Sequence, residues 1–493
     1  MNMNLSQENL QDIKTTAVIK PADKLFSLPE RVLQFGTGVL LRGLPDFFID
    51  KANRQGLFNG RVVVVKSTDS GDAGAFDRQN GLYTLCVRGI EDGHKIEENI
   101  ICSAISRVLS ARDQWTQILE LAHRPEMQII VSNTTEVGIQ LVEDDIRRRP
   151  PVSFPGKLLA FLFERFKAFG GSPESGMVIV PTELIVDNGK KLAAIVGELA
   201  RIGELGADFI TWLKQHCRFC SSLVDRIVPG KPDAGTLHQL SHDLGYTDDL
   251  LAIAEVYRLW AIEGDERVRS ILSFAAADEG VVIQPDIEIY RELKLRLLNG
   301  THTLSCGLAW LAGFTTVKQA MDDRNFGSFV ADLMFKEIAP AIPYAVPLQE
   351  ARDFGLRVLD RFRNPHLQHQ WLSITMQYSS KIKSRDIPVL LRHYQLHNSP
   401  PQHMALGFAA YLLFSRGGSH PVNDDKAGYY AALWAESTPA EVVHRSLGDE
   451  TLWGVDLTQL PGFEAAVHEY LEALINKGAL ATLAQATTKK TVL

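Results

Sequence analysis

The stretch Arg31-Val-Leu-Gln-Phe35-Gly36-Thr37-Gly38-Val39-Leu40-Leu41-Arg42 decides the fold. Arg31 to Phe35 reads as a short buried strand, and Gly36-Thr-Gly38 breaks it. Val39 to Asn53 then carries Leu40, Leu41, Leu44, Phe47 and Phe48 at helical spacing. Pro45 falls early in that helix, where a bend is expected. Strand, glycine turn and helix in this order open a dinucleotide-binding unit. Gly36 permits the tight turn. Gly38 lets the backbone approach a pyrophosphate, which then sits among free N–H groups at the helix N-terminus. The third position of the usual fingerprint is Leu41 rather than glycine, so the match is a variant. Arg42 is placed to add charge against a phosphate. The plain alternative is a simple strand–helix turn.

Working outward, Arg61-Val-Val-Val-Val-Lys66 is β-branched and unalternating, as a strand covered on both faces should be. Met127 to Ser132 and Gly176 to Pro181 read as strands of the same kind. Ala111 to Leu121 and Gly156 to Phe169 read as helices. The alternation implies a parallel, doubly wound α/β sheet of Rossmann type. Asp69, after the second strand, would bind ribose hydroxyls and favour NAD, whereas Lys66 would favour NADP. Asn133, Thr134 and Glu136 follow the third strand, at the end where such sheets bind ligands. A helix cap is the equally simple account of Asn133 or Thr134.

After about Pro285 strands stop and amphipathic helices follow. They span Ile287–Leu298, Val317–Ile338, Leu348–Phe362, Met404–Phe414, Asp424–Trp434 and Phe463–Lys477. The chain has 493 residues, too many for one ordinary core. We expect a dinucleotide-binding domain over residues 1–284 and a mostly α-helical substrate domain over residues 285–493.

The formal net charge of −8 argues against nucleic acid or an anionic membrane as partner. No run reaches the length of a membrane helix, and the first 27 residues lack a signal-peptide core. Five cysteines in so long a chain make no disulfide framework, so the cytoplasm is the expected compartment. Cys217 and Cys220 form one Cys-x-x-Cys beside His216, without a second ligand pair at a familiar spacing. Two buried thiols are the simpler account, and no metal is expected. The sequence allows a monomer or a homodimer.

Tyr290-Arg-Glu-Leu-Lys294-Leu-Arg-Leu-Leu-Asn299-Gly-Thr-His302 carries the chemistry. On a continuous α-helix, Asn299 lies about 140° and His302 about 80° from Lys294, so the three share one broad face. Hydride transfer to a ketone creates an alkoxide that must be stabilised and protonated. A lysine ammonium does both, and its neutral form is a base in reverse. The amide of Asn299 can donate to the same oxygen, and His302 can orient the lysine or bind a hydroxyl. Spacing alone also fits an amphipathic helix with a solvated lysine.

These residues resemble the mannitol dehydrogenase family of polyol-specific long-chain dehydrogenases. Lys-x4-Asn-x2-His is that family's active-site signature. Further segments align in order: Gln79-Asn-Gly-Leu-Tyr-Thr84, Thr135-Glu136, Leu223-Val-Asp225-Arg-Ile227, Trp260-Ala-Ile-Glu263 and Ser379-Ser-Lys381-Ile382. The resemblance implies a Rossmann domain followed by a helical one, NAD as cofactor and metal-independent catalysis. It makes Lys294 the acid/base and Asn299 part of the oxyanion site. His302 and Lys381 would contact substrate, with Asp225, Glu183 and Asn188 also lining its site. Asp69 and Glu136 would lie near the cofactor.

The departures are informative. Where polyol members carry a second oxyanion asparagine in Cys-Asp-Asn, this chain has Pro181-Thr-Glu183 followed by Asp187-Asn188-Gly189. Eight residues before Lys381, their arginine is Ser373. Glu255-Val-Tyr-Arg258-Leu-Trp260 places the chain nearer the hexuronate branch. The implied reaction joins a keto-hexuronate to its aldonate, D-tagaturonate and D-altronate first. The fructuronate/mannonate pair, a neutral polyol of mannitol type, or an inactive nucleotide-binding protein remain alternatives. A sugar acid needs a cation, and Arg258, Lys381, Lys383 and Arg385 are the candidates. A structural salt bridge is the competing account of Arg258.

Overall fold

Val62, Val63, Val64 and Val65 are fully buried, and their side chains alternate between two cores. Val62 and Val64 join Leu41 and Phe48 in one, while Val63 and Val65 join Leu158 and Leu162 in the other. That alternation is the signature of an extended strand sandwiched between helical layers. The computed structural model describes residues 3–67, 74–134 and 138–488. It divides into two units, Met1–Arg88 with Lys95–Ile287, and Gly89–His94 with Glu288–Leu493.

The first unit is built on six parallel strands. They are β1 (Glu30–Phe35), β2 (Arg61–Lys66), β3 (Ile105–Ser110), β4 (Ile129–Ser132), β5 (Val178–Pro181) and β6 (Arg218–Phe219). Their order across the sheet is β3-β2-β1-β4-β5-β6. This is the Rossmann order, with its topological switch between β1 and β4. Two three-stranded sheets were not foreseen. One has Tyr83–Glu91 between Ala252–Glu255 and His94–Cys102; the other has Leu259–Glu263 between Ser222–Asp225 and Val281–Gln284.

The single helix expected over Val39 to Asn53 is two helices, α1 (Val39–Gly43) and α2 (Pro45–Arg54). Leu44 between them is non-helical, at φ −136° and ψ −77°. Pro45 lacks an N–H, and its ring drives the preceding residue out of the helical region. It then starts α2, where a missing N–H costs nothing. The helix expected from Ala111 begins only at Trp115.

The second unit is helical apart from residues Gly89–His94. Its first helix, α3 (Glu288–Leu293), runs into a π-helical segment, Lys294–Gly300, and then into α4 (Thr301–Leu311). Leu348–Phe362 (α5) and Phe463–Lys477 form with the expected bounds. The segment expected as one helix over Val317–Ile338 breaks at Asp323, which caps a new helix by accepting from the N–H groups of Asn325 and Phe326. Among the described residues no helix is long and apolar enough to cross a membrane.

Helix α4 packs on Gln402–Ser415 through glycines from both sides. A Cβ on Gly407 would lie 2.7 Å from the Leu304 carbonyl oxygen. One on Gly307 would lie 3.1 Å from that of Ala410 and 2.9 Å from the Tyr378 hydroxyl. Only glycine allows so close an approach of backbones. Gly407→Ala should therefore destabilise the protein by about 1–3 kcal/mol, read as a lower melting temperature. An unchanged melting temperature would show that the two helices separate without cost.

Candidate active site

The residues expected to carry the chemistry fall in both units. In the first, Gly36 sits at φ +125°, and a Cβ there would meet the Asn133 carbonyl oxygen at 2.9 Å and Leu41 at 3.0 Å. Its N–H donates to the Val65 carbonyl over 3.1 Å. Thr37 is half-buried, and Gly38 is exposed as the N-cap residue of α1. A side chain on Gly38 would meet nothing within 4 Å. Asn133 extends β4 by donating its N–H to Phe35 O (3.1 Å). Its amide donates to Thr182 O (3.2 Å) and Oγ1 (3.0 Å). The bare backbone of this turn, at the carboxyl ends of β1 and β4, fits a dinucleotide pyrophosphate. Asp69 and Glu136 lie outside the described residues.

Beneath the turn is a polar pair that the sequence reading missed. Gln34 Nε2 donates to the Gly36 carbonyl (3.4 Å) and to Asp46 Oδ2 (3.3 Å). Asp46 is fully buried, and burial pushes its carboxyl up to about 7, against the opposing pull of Gln34 and Arg42. Its only sequence signal was a charged residue among the apolar positions of α2.

Several residues expected to bind ligands also hold the fold together. Arg42 is buried against Phe76 and Tyr83 and donates to the Leu250 carbonyl. Glu183 is buried and accepts from Thr134 N (2.8 Å), Thr134 Oγ1 (3.0 Å) and Ser132 Oγ (3.2 Å). Asn188 donates to the carbonyls of Pro181, Glu183 and Ser222 and accepts from the N–H groups of Gly189 and Ser222. These donors and acceptors are used up in joining three segments of chain. Arg258 pairs with the buried Asp278 at 2.8 Å, which Lys51 also reaches at 2.6 Å. Its carboxylate partner comes from the chain itself. Asp225 is buried at the end of strand Ser222–Asp225. Cys217 and Cys220 are buried thiols, each pushed up to about 12 by burial.

In the second unit, Lys294 opens the π segment and Asn299 lies near its end, both half-buried. The wider π turn corrects the α-helical angles, because residues five apart come round toward the same side. A second π segment, Ile382–Asp386, packs against the first. Its cause is legible: Pro388 has no N–H to give the carbonyl of Ser384, four residues earlier. Arg296, buried in the first segment, supplies the missing donor. It reaches Ser384 O at 2.7 Å and Arg385 O at 2.6 Å, while Glu292 balances its charge at 3.0 Å. Arg385 returns the contact, donating to Thr303 Oγ1 (3.0 Å) and Asn299 O (3.4 Å). Thr303 also donates to Asn299 O, at 2.7 Å. The backbone of Asn299 is thus pinned from two sides.

Asp386 is fully buried, with its carboxyl where a side chain on Gly300 would stand, 2.7 Å from such a Cβ. Burial pushes it well above the usual carboxylate range, although Arg385 and Arg296 oppose this. Lys381 is half-buried and donates to Ile374 O (2.9 Å); burial and then Arg385 lower its pKa. His302 is buried with its ring stacked on Phe362, at 4.0 Å between centroids. Burial and neighbouring cations hold it well below the usual histidine range, so it is neutral at physiological pH. Lys383 is exposed and donates to Thr451 O.

A Rossmann domain followed by a helical domain bearing a lysine, an asparagine and a histidine on one run of helix defines a class of nicotinamide-dependent dehydrogenases. The chain belongs to the mannitol dehydrogenase family. The mannitol dehydrogenase Rossmann domain matches residues 30–274, and the mannitol dehydrogenase C-terminal domain matches residues 286–475. An altronate oxidoreductase of Bacillus subtilis (strain 168) is 37% identical over 468 residues, 94% of this chain and 96% of that protein. One from Pectobacterium carotovorum subsp. carotovorum (strain PC1) is 38% identical over 91% of this chain and 95% of its own length. In fold the chain is similar to Pseudomonas fluorescens mannitol 2-dehydrogenase in ternary complex with NAD and D-mannitol. That match has a TM-score of 0.67 and 23% identity over 99% of this chain and all of that one. A substrate-free D-sorbitol dehydrogenase matches with a TM-score of 0.79 and 20% identity over 97% of this chain and all of its own.

Asp46 makes a prediction about pH. Its folded value of about 7 lies above its ordinary 3.8, so the native state keeps a proton that the unfolded chain has already lost. Stability contributed at this site therefore falls as pH rises between those values and levels off above about 7. Melting curves from pH 4 to 8 should show the wild type losing ground to Asp46→Asn across that window. Parallel profiles would show that Asp46 titrates normally.

Proposed function

We propose that the protein is an NAD-dependent oxidoreductase that interconverts D-tagaturonate and D-altronate. The observation that carries this is likeness at 37% identity, over 94% of the chain, to an altronate oxidoreductase. Residues 1–284 carry the dinucleotide and residues 285–493 the substrate chemistry. The bare turn Gly36-Thr37-Gly38, with Asn133 beside it, holds the pyrophosphate. Asp69 and Glu136 are assigned to the cofactor on the family pattern alone.

When bound, the nicotinamide supplies the hydride. Lys294, as an ammonium, stabilises the charge developing on the carbonyl oxygen and gives that oxygen its proton. In the oxidative direction its neutral amine takes the proton back. Asn299 donates an amide N–H to the same oxygen, from a backbone fixed by Arg385 and Thr303. His302 and Lys381 bind the substrate.

NADH oxidation measured side by side with tagaturonate, fructuronate and fructose tests the assignment. Tagaturonate should give the highest kcat/KM; equal rates with altronate and mannitol in the reverse direction would remove it. Lys294→Ala should keep NADH binding and lose turnover by about 10²–10⁴-fold. Turnover that survives would take the acid/base role from Lys294.

A further inference from the structure

Gln34 is a buried polar residue in the middle of the parallel sheet. On β1 it stands between Val64 of β2 and Val131 of β4. Alternation along the strand turns its side chain to the same face as Val32, into the core that Leu41 and Phe48 share. Burying an amide there is unfavourable unless it is hydrogen-bonded. Its Nε2 serves two acceptors, the Gly36 carbonyl (3.4 Å) and Asp46 Oδ2 (3.3 Å). Its own Oε1, and Asp46 Oδ1, are buried without a hydrogen-bond partner among the described residues. Reversing the amide would set its oxygen against the Gly36 carbonyl, which can only accept, so Nε2 is fixed toward the turn.

Asp46 lies in the first turn of α2, so this bond ties the strand before the glycine turn to the helix beyond it. Both polar groups of Gly36 are thereby engaged: its N–H on Val65 O, its carbonyl on Gln34. The Asn133 carbonyl closes the space above its Cα. The Gly36–Thr37 peptide is planar and trans, which sets the Thr37 N–H opposite to the Gly36 carbonyl. The carbonyl is drawn toward the core. The N–H therefore faces away from it, and it donates to no described residue.

We propose that Gln34 and Asp46 are positioning residues for the cofactor, holding the Gly36–Thr37 peptide so that the Thr37 N–H is presented to the pyrophosphate of NAD. The inference rests on the reading of this turn as the pyrophosphate site and deepens it. Neither side chain touches the cofactor. Gln34 holds the peptide, and Asp46 holds Gln34. A peptide aligned in advance spares the ordering that binding would otherwise require.

The test is the Kd for NADH, measured by fluorescence titration without sugar substrate, in the wild type and in Gln34→Met, Asp46→Leu and Asp46→Asn. Gln34→Met keeps the side-chain length and removes the donor, so Kd should rise about tenfold. Asp46→Leu should shift it the same way. Asp46→Asn keeps an acceptor for Nε2 and should stay within about twofold of the wild type. In turnover the loss should fall on KM for NADH rather than on kcat. Melting temperatures separate lost affinity from lost folding. Hydrogen exchange at the Thr37 N–H of the wild type adds a measurement that depends on no variant: it should exchange readily alone and be protected by saturating NADH. A folded Gln34→Met with wild-type Kd, or a Thr37 N–H whose exchange NADH leaves unchanged, overturns the inference while leaving the protein NAD-dependent. A wild type that binds no NADH removes the cofactor reading and this inference together.

Discussion

The helix that bears Lys294 and Asn299 depends on an exchange of arginines between two π segments. Pro388 cannot donate to the Ser384 carbonyl, which leaves that acceptor open. Arg296 fills the gap from the neighbouring helix, and Arg385 returns the contact to Asn299 and Thr303. The consequence runs from one proline to the site. It fixes the backbone of Asn299, the residue proposed to meet a developing oxyanion. Glu292 makes the exchange affordable by balancing the buried guanidinium of Arg296. The widened turn then brings Asn299 toward the side of Lys294, which α-helical geometry would not.

Much of the fold was legible because its strongest signals are local. The run of four valines reads as a strand covered on both faces, and Gly36-Thr-Gly38 marked the turn between strand and helix. Leu348–Phe362 and Phe463–Lys477 carry an unbroken apolar period and formed with their expected bounds. What escaped notice depends on distant partners. Tyr83–Glu91 and His94–Cys102 become strands only by pairing, the former also with Ala252–Glu255, far along the chain. The break at Leu44 was half visible: Pro45 announced a bend, but not that the helix would stop and restart.

The site was legible by residue type more than by role. Lys294, Asn299 and His302 lie on one run of helix, although their angular relation needed the π segment to be seen. Glu183, Asn188, Arg42 and Arg258 have the right chemistry for ligands, and the fold also uses it. Nothing in the sequence separates a carboxylate that caps Thr134 from one that faces a sugar. Conversely, Gln34 and Asp46 carried no motif. Their bond joins a strand to the second helix after it, a meeting that no spacing rule foretells.

The contact between Gly300 and Asp386 has a consequence for how this sequence can change. The carboxyl occupies the volume that a side chain at position 300 would need, so the two residues share one space. A methyl group gained at one must be matched by atoms lost at the other. Gly300 and Asp386, 86 positions apart in the chain, therefore act as one packing unit, and grafting this helix into another scaffold would require moving both.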